Sequence, residues 1–229
     1  MVLRRLIIVA LAVILIAASS AAAETAIDTI MNVGTTQAFT DEAVSVEDLK
    51  TILQAGLSAA SAINQQPWFF VAITNQELMR EISGSGASFA PPAGASGIPE
   101  GAPQGGSGSF PAAPAASSGA KAGLGDSPAA IIIYRSDASK SPNANFDCGL
   151  AAQNMVIAAS SLGYGVKIIS SPTMSLNGAN HDALCEKLGV DPSMQAVAVV
   201  LIGRADSAVD ATSSASTRDP LEAKTNISE

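Results

Sequence analysis

The sequence predicts an α+β domain, and three observations carry that expectation. Segments with apolar residues at helical spacing mix with short β-branched runs, without the regular strand-helix-strand repeat of a doubly wound sheet. The chain has 229 residues, 48% of them hydrophobic, enough to bury one core of ordinary domain size. Beyond the first residues, no apolar run is long enough to span a bilayer, which takes roughly 20 residues.

The N-terminus reads as a leader. Met1 to Arg5 carries two arginines, Leu6 to Ala18 is uninterrupted apolar chain, and Ala21-Ala22-Ala23 offers small residues to a signal peptidase. This is the layout of a secretory signal over 1–23, leaving one domain over 24–229 and an exported protein, periplasmic or extracellular. An uncleaved N-terminal membrane anchor is the alternative. Arg4-Arg5 alone does not establish twin-arginine export.

The elements follow in order. Ser45-Val46-Glu47-Asp48 reads as a helix start, with Ser45 as cap and acidic residues in the first turn. Leu49, Ile52, Leu53 and Leu57 continue at helical spacing, and the helix should end between Gly56 and Ala60. A polar loop, Ser61 to Pro67, leads into Trp68 to Ile73, which reads as a buried strand. Pro67 favours an extended backbone at Gln66. Thr74 or Asn75 then caps a short helix carrying Leu78, Met79 and Ile82.

From Gly84 to Gly119 every residue is Gly, Ala, Ser or Pro except Phe89, Ile98, Glu100, Gln104 and Phe110. So few large apolar groups do not offset the entropy of ordering the chain, so a flexible excursion within one domain is expected. A lid using Phe89 or Phe110 and a disordered insertion are both open readings. A strand follows at Ala129 to Tyr134, then a long helix from Asn145 to Leu162. Its Cys148, Gly149, Ala151, Ala152, Ala158 and Ala159 are small and let other backbones approach, in the core or at a subunit interface. Gly163 and Gly165 end it. Val166 to Ile169 reads as extended, His181 to Leu188 as helix, and Ala196 to Ile202 as a last buried strand.

Several function classes fall away. A formal charge of -8 and a pI near 4.6 argue against a nucleic-acid or anionic-membrane surface, leaving small molecules or a second copy as partners. The lone histidine, His181, has no GxSxG elbow and no metal-ligand spacing around it, so neither a serine triad nor zinc is supported. Gly163-Tyr164-Gly165 lacks the third glycine of a dinucleotide fingerprint. Cys148 and Cys185 form one disulfide or are two buried small apolar side chains. Ser61, Asn64 and Gln66 offer hydroxyl and amide groups suited to the edge of a planar heterocycle, with Trp68 as anchor. Such amides equally well satisfy the turn's own backbone.

That loop, Ala59-Ala60-Ser61-Ala62-Ile63-Asn64-Gln65-Gln66-Pro67-Trp68, resembles the Ala-Pro-Ser-x-x-Asn-x-Gln-Pro-Trp loop of the FMN-dependent nitroreductases, with Ala60 in place of proline. Phe39 to Ser45 upstream fits the same family. Downstream, Ser127-Pro128-Ala129 and the isoleucine strand, Asp147 to Met155, Leu162 to Gly165 and Ala196 to Gly203 follow the family's order. Arg218-Asp219-Pro220-Leu221-Glu222 is similar to its C-terminal Arg-x-Pro-Leu-Glu. The resemblance covers most of the domain except 84–119. It implies a central mixed or antiparallel sheet flanked by helices and a homodimer with exchanged C-terminal segments. It also implies FMN in two interface clefts, NAD(P)H as electron donor, and a nitroaromatic, quinone or similar small-molecule acceptor. The chemistry would sit on the flavin, with no catalytic side chain.

Carried over residue by residue, Asn64 meets the flavin's pyrimidine edge, Ser61 lies nearer the ribityl phosphate, and Gln66 belongs to the same wall. Ile168, Ile169, Ser170 and Ser171 lie along the ring, and Arg218 approaches the phosphate. One segment departs from the family, which places an Arg-Arg-Ser or Arg-x-Ser motif and a following basic residue where this chain reads Val33-Gly34-Thr35-Thr36-Gln37. Thr35 keeps a hydroxyl and Gln37 is neutral, so the usual arginine clamp for phosphate is missing. That departure opens an alternative: an exported, non-catalytic binding or structural protein of the same fold.

Overall fold

The structure, a computed structural model, describes residues 27–84, 124–136, 142–210, 219–226 and 228. The segment 1–23 that the sequence predicts to be a leader, residues 85–119 of the Gly/Ala/Ser/Pro-rich stretch and Arg218 lie outside the described residues.

Four strands set the frame: β1 (Trp68–Ile73), β2 (Ala129–Ser136), β3 (Gly165–Ile169) and β4 (Met194–Gly203). They form one sheet in the order β1-β2-β4-β3, antiparallel at every pairing. The central strands β2 and β4 are the Ile131-Ile132-Ile133 and Val199 to Ile202 runs, fully buried because both sheet faces are covered. β1 is an edge strand. It had been expected to be buried throughout, but only Trp68 and Ile73 at its ends are buried, and Phe69 and Ala72 are exposed.

The two-residue period of β2 divides the core. Ile131 and Ile133 join Leu49, Ile52, Trp68, Met155 and Val200 on one face, beneath α2 (Val46–Leu57) and α4 (Ala144–Ser161). Ile132 and Tyr134 join Ile73, Met79, Ile82, Leu184 and Val199 on the other. That second face is covered by α3 (Gln76–Gly84), α5 (Thr173–Leu176) and α6 (His181–Leu188). Residues 27–32 form a helix, α1, and α5 is one turn; neither short element was expected, since each lacks a full apolar period.

Local chemistry explains the main helix ends. The Ser45 side chain accepts the Asp48 N–H at 3.0 Å and caps α2. Asn75, rather than Thr74, caps α3, its Oδ1 accepting from the Glu77 and Leu78 amides at 3.0 Å. Gly189 closes α6 at φ 67°, a left-handed position that costs glycine nothing. The helices α2 and α4 run antiparallel and close together. Asn154 Nδ2 donates to Ala55 O at 3.1 Å, and a side chain at Gly56 would strike Met155 and Phe70.

The cysteines settle as two buried free thiols. Cys148 lies in the core beneath α4, Cys185 in the core on the opposite sheet face, so the disulfide reading does not hold. Burial, with the Asp147 charge, pushes the Cys148 thiol up to about 11, and burial also raises Cys185. No helix among the described residues is long and apolar enough to cross a membrane.

Two outcomes are expected. A thiol reagent at neutral pH should find no accessible cysteine in the folded chain and two after unfolding without reductant. Gly56→Val should lower unfolding free energy by about 1–3 kcal/mol, read from a denaturant titration, because α2 and α4 must separate to admit it.

Candidate functional site

The loop between α2 and β1 has an unusual backbone. After Ser61, extended at φ -143°, residues Ala62–Asn64 make a 3-10 turn in which Ile63 has φ 46° and Asn64 φ 56°; Gln66 then has φ 45°. Left-handed backbone at a β-branched residue such as Ile63 is a clear departure from ordinary geometry, and such positions cost of order 1–3 kcal/mol each. Gln66 was expected to be extended because it precedes Pro67. It is left-handed instead, because the Ser61 Oγ accepts its N–H at 3.0 Å and draws the chain back across the loop.

Four contacts hold this conformation. The Asp147 Oδ2, on a residue only 2% exposed, accepts the Ala62 N–H at 3.2 Å. Gln66 Nε2 donates to Asn64 Oδ1 at 3.0 Å. Ser136 N–H donates to Pro67 O at 2.7 Å, tying the loop's exit to β2. Trp68 then enters the core, its ring stacked on Phe70 with centroids 6.1 Å apart and planes 13° from parallel. Ser61 is half-buried, while Asn64 and Gln66 are exposed. Their mutual bond uses the Asn64 oxygen and the Gln66 nitrogen, so what the pair still offers a planar heterocycle is a donor at Asn64 Nδ2 and an acceptor at Gln66 Oε1.

The second group of expected residues lies along β3. Thr36 N–H donates to Val166 O at 2.8 Å and Thr36 Oγ1 accepts the Val166 N–H at 3.0 Å, which ties the segment 33–37 to β3 at that one residue. Gly165 leaves the room that the Thr36 side chain occupies. Thr36 is buried, and the alternation turns Thr35 and Gln37 outward, with Gln37 Nε2 donating to Thr35 O at 3.3 Å. A cavity of about 180 Å³ opens here, lined by Asn32, Gly34, Thr35, Ser160, Tyr164 and Val166, none of them cationic. Ile168 is exposed on the face that α4 covers, Ile169 packs into the opposite core, and Ser170 and Ser171 are exposed beyond the strand.

A polar strut braces this edge. Tyr164 Oη donates to Asp48 Oδ2 at 2.7 Å, and the Arg204 guanidinium sits over the tyrosine ring, 4.3 Å from its centroid, while donating to Gly163 O at 2.7 Å. The Tyr164 and Ser45 hydroxyls hold the Asp48 carboxyl below its usual range, and the same bond raises Tyr164.

The structure thus gathers Ser61, Asn64 and Gln66 into one group and spreads the others along β3, Thr35 and Gln37 flanking Thr36 at its start and Ile168 to Ser171 at and beyond its end. It does not bring the two sets together in one chain. β1 and β3 are the opposite edges of the sheet, three strand spacings or about 14 Å apart. The sequence reading missed the supporting role of Asp147 and of Thr36. For Asp147 a signal was present: it shares helical spacing with Ala151 and Met155, a charged residue on a stripe of buried ones.

Fold and loop define an α+β protein whose antiparallel sheet lies between two helical layers, with an amide-bearing loop at one end of its edge strand. Residues 30–204 match the sequence profile of the Nitroreductase family, and the chain belongs to that family. It is 29% identical over 130 residues to a protein of Methanothermobacter thermautotrophicus that carries the provisional name NADH dehydrogenase/NAD(P)H nitroreductase. The aligned part covers 56% of this chain and 51% of that one, so the chain spans about half the length of this curated relative. Among solved structures it is similar to an FMN-bound nitroreductase of Desulfitobacterium hafniense, with TM-score 0.67 and 20% identity over 90% of this chain and 98% of the other. A second, an FMN-bound nitroreductase of Bacteroides fragilis, gives TM-score 0.65 and 21% identity over 89% and 98% of the two chains.

Asp147→Ala should leave the Ala62 N–H unpaired and free the strained loop. Stability should fall by about 1–3 kcal/mol, with faster amide exchange across residues 62–66, whereas Asp147→Asn, which keeps an acceptor oxygen, should retain most of both.

Proposed function

We propose that this chain is an exported FMN-dependent oxidoreductase that works as a homodimer. The observation that carries the reading is the amide loop, held in left-handed backbone by Asp147 and Ser61 so that Asn64 and Gln66 present a donor and an acceptor to a ligand edge. The chemistry that bound FMN supplies is two-electron transfer from NAD(P)H to a nitroaromatic, quinone or similar acceptor.

The residues fit the flavin's ring well and its phosphate thinly. Asn64 and Gln66 would hold the pyrimidine edge, Ser61 would lie towards the ribityl chain, and Ile168 would exclude water from the ring's flank with Ile169 seated in the core behind it, while Ser170 and Ser171 offer polar contacts. A phosphate carries about -1.5 to -2 charges. Thr35 contributes a hydroxyl but the 33–37 segment no cation, so Lys167, Lys224 and Arg218 are left to balance that charge. Gln37, neutral beside the ring, would give added electrons less electrostatic support than a basic residue, favouring a low reduction potential.

The placement of the two groups supports the dimer. Each lies at one edge of the sheet, and a second copy would close a cleft between the amide loop of one chain and the 33–37 and 168–171 edge of the other. Large apolar side chains left uncovered around both groups support this, among them Ile63 at 89% exposure and Phe146 at 67%. On α4, Phe146 is exposed and Leu150 and Ile157 are only half-buried, apolar surface that a second copy would cover. Exchange of C-terminal segments would complete the pair. Export rests on the leader at 1–23, with an uncleaved anchor as the other outcome.

The empty charge pattern of 33–37 favours one second reading, a non-catalytic exported binding protein that keeps the dimer and has lost the flavin. The two separate cleanly. Purified chain given FMN should retain flavin absorbance after gel filtration, and Asn64→Ala should weaken that binding roughly 2–10-fold through the loss of one hydrogen bond. A dimer that stays colourless with added FMN supports the second reading and sinks the first.

A further inference from the structure

The segment after β3 is tied down in a way the family likeness does not explain. β3 stops pairing at Ile169, opposite Val199, while β4 begins at Met194, so the start of β4 lacks a β3 partner. Asn177 takes that place with a side chain. Its Nδ2 donates to Ala196 O and its Oδ1 accepts the Ala196 N–H, both at 2.8 Å. The excursion that begins with Ile168 to Ser171 and passes through α5 is thereby returned to the sheet.

Four residues on, the chain reaches its only histidine. His181 Nδ1 lies 2.7 Å from Leu176 O, at the end of α5, and Nε2 lies 2.9 Å from Pro192 O, in the turn before β4. Carbonyl oxygens only accept. A neutral imidazole has one N–H, so both bonds are made only by the imidazolium. In that form the ring clamps the end of the excursion to the start of the strand it must lie beside.

The charged and titratable neighbours are few. Asp182 is next on the same helix, Cys185 Sγ lies 3.6 Å from Nε2 and 3.7 Å from Nδ1, and Asp191 belongs to the turn that carries Pro192. The N-terminal end of α6 works against a cation. The two carbonyls, then Asp182, work for it, and the ring's pKa is raised above 6.5. Folded above its unfolded value, the group contributes stability that is complete below about pH 6.5 and is lost as pH rises through the folded pKa.

We propose that His181, as an imidazolium, and Asn177 are positioning residues that together hold the Ile168 to Ser171 wall, making the shape of that wall dependent on pH. Its meaning for function rests on the reading of the wall as part of a flavin site. Deprotonation removes one of the two clamping bonds and turns a lone pair towards a carbonyl, which frees the end of α5 and, through it, the wall.

The single histidine makes the test direct, since in the untagged full chain one imidazole signal needs no assignment. The expected result is a His181 titration midpoint above 6.5 by NMR, with the Ser170 and Ser171 amide signals moving at the same midpoint, in protein without added ligand. FMN affinity, followed by fluorescence quenching, should fall roughly 2–10-fold as pH passes that midpoint, and the step should be absent in His181→Gln. Asn177→Ala should weaken FMN binding at every pH. A midpoint at or below 6.5, or wall amides that ignore it, overturns the proposal on the wild-type chain alone, whether or not the variants fold. Moving amides with no FMN binding at any pH uphold the clamp and count against the flavin reading instead.

Discussion

The bond from Ala62 N–H to the Asp147 carboxylate is the constraint on which the candidate site depends. It joins residues far apart in sequence and places a nearly buried carboxylate under a loop that would otherwise relax. Three left-handed non-glycine residues lie within the six that follow Ser61. Their strain has to be met by neighbouring contacts, and Asp147, Ser61 and the Trp68 anchor are the contacts that meet it. Asp147 is itself fixed because α4 packs against both α2 and the sheet, with Gly56 permitting the close approach. Core packing thus reaches the exposed amides through one hydrogen bond.

The second constraint is the strand order. Because β1 and β3 are opposite edges, the amide loop is separated by the width of the sheet from Thr35, Gln37 and Ile168. Neither is a complete binding site for a ligand the size of a flavin. The exposed Ile63, Phe146 and Ile168 make the same point in terms of solvation, since apolar surface beside polar groups of this kind is usually surface awaiting a partner. The proposed homodimer would answer both.

Much of the frame was legible in the residues. The Ser45 cap, the period of Leu49, Ile52 and Leu53, the isoleucine run of β2 and the Asn75 cap each act locally, so a local reading finds them. The cysteines could not be placed that way, because which sheet face a helix covers is a tertiary fact. The Gln66 conformation was misread for a related reason: the rule for residues before proline is local, and the Ser61 hydroxyl overrode it across five residues. Burial of β1 was overestimated because its apolar composition does not reveal that it is an edge strand. Within the candidate site, the hydroxyl and amide groups of the loop were legible in the residues, while the bonds by which Asp147, Thr36, Asn177 and His181 hold backbone in place were not, since each is made to a partner that only the fold supplies.

In the proposed dimer the amide loop is one wall of a flavin cleft that two copies of the chain complete. Sedimentation of the purified protein with FMN, recorded at the flavin's visible absorbance, tests this. Flavin absorbance is expected to sediment with a dimer, at one flavin per chain. Flavin bound to a monomer, or a dimer that sediments without colour, would contradict it.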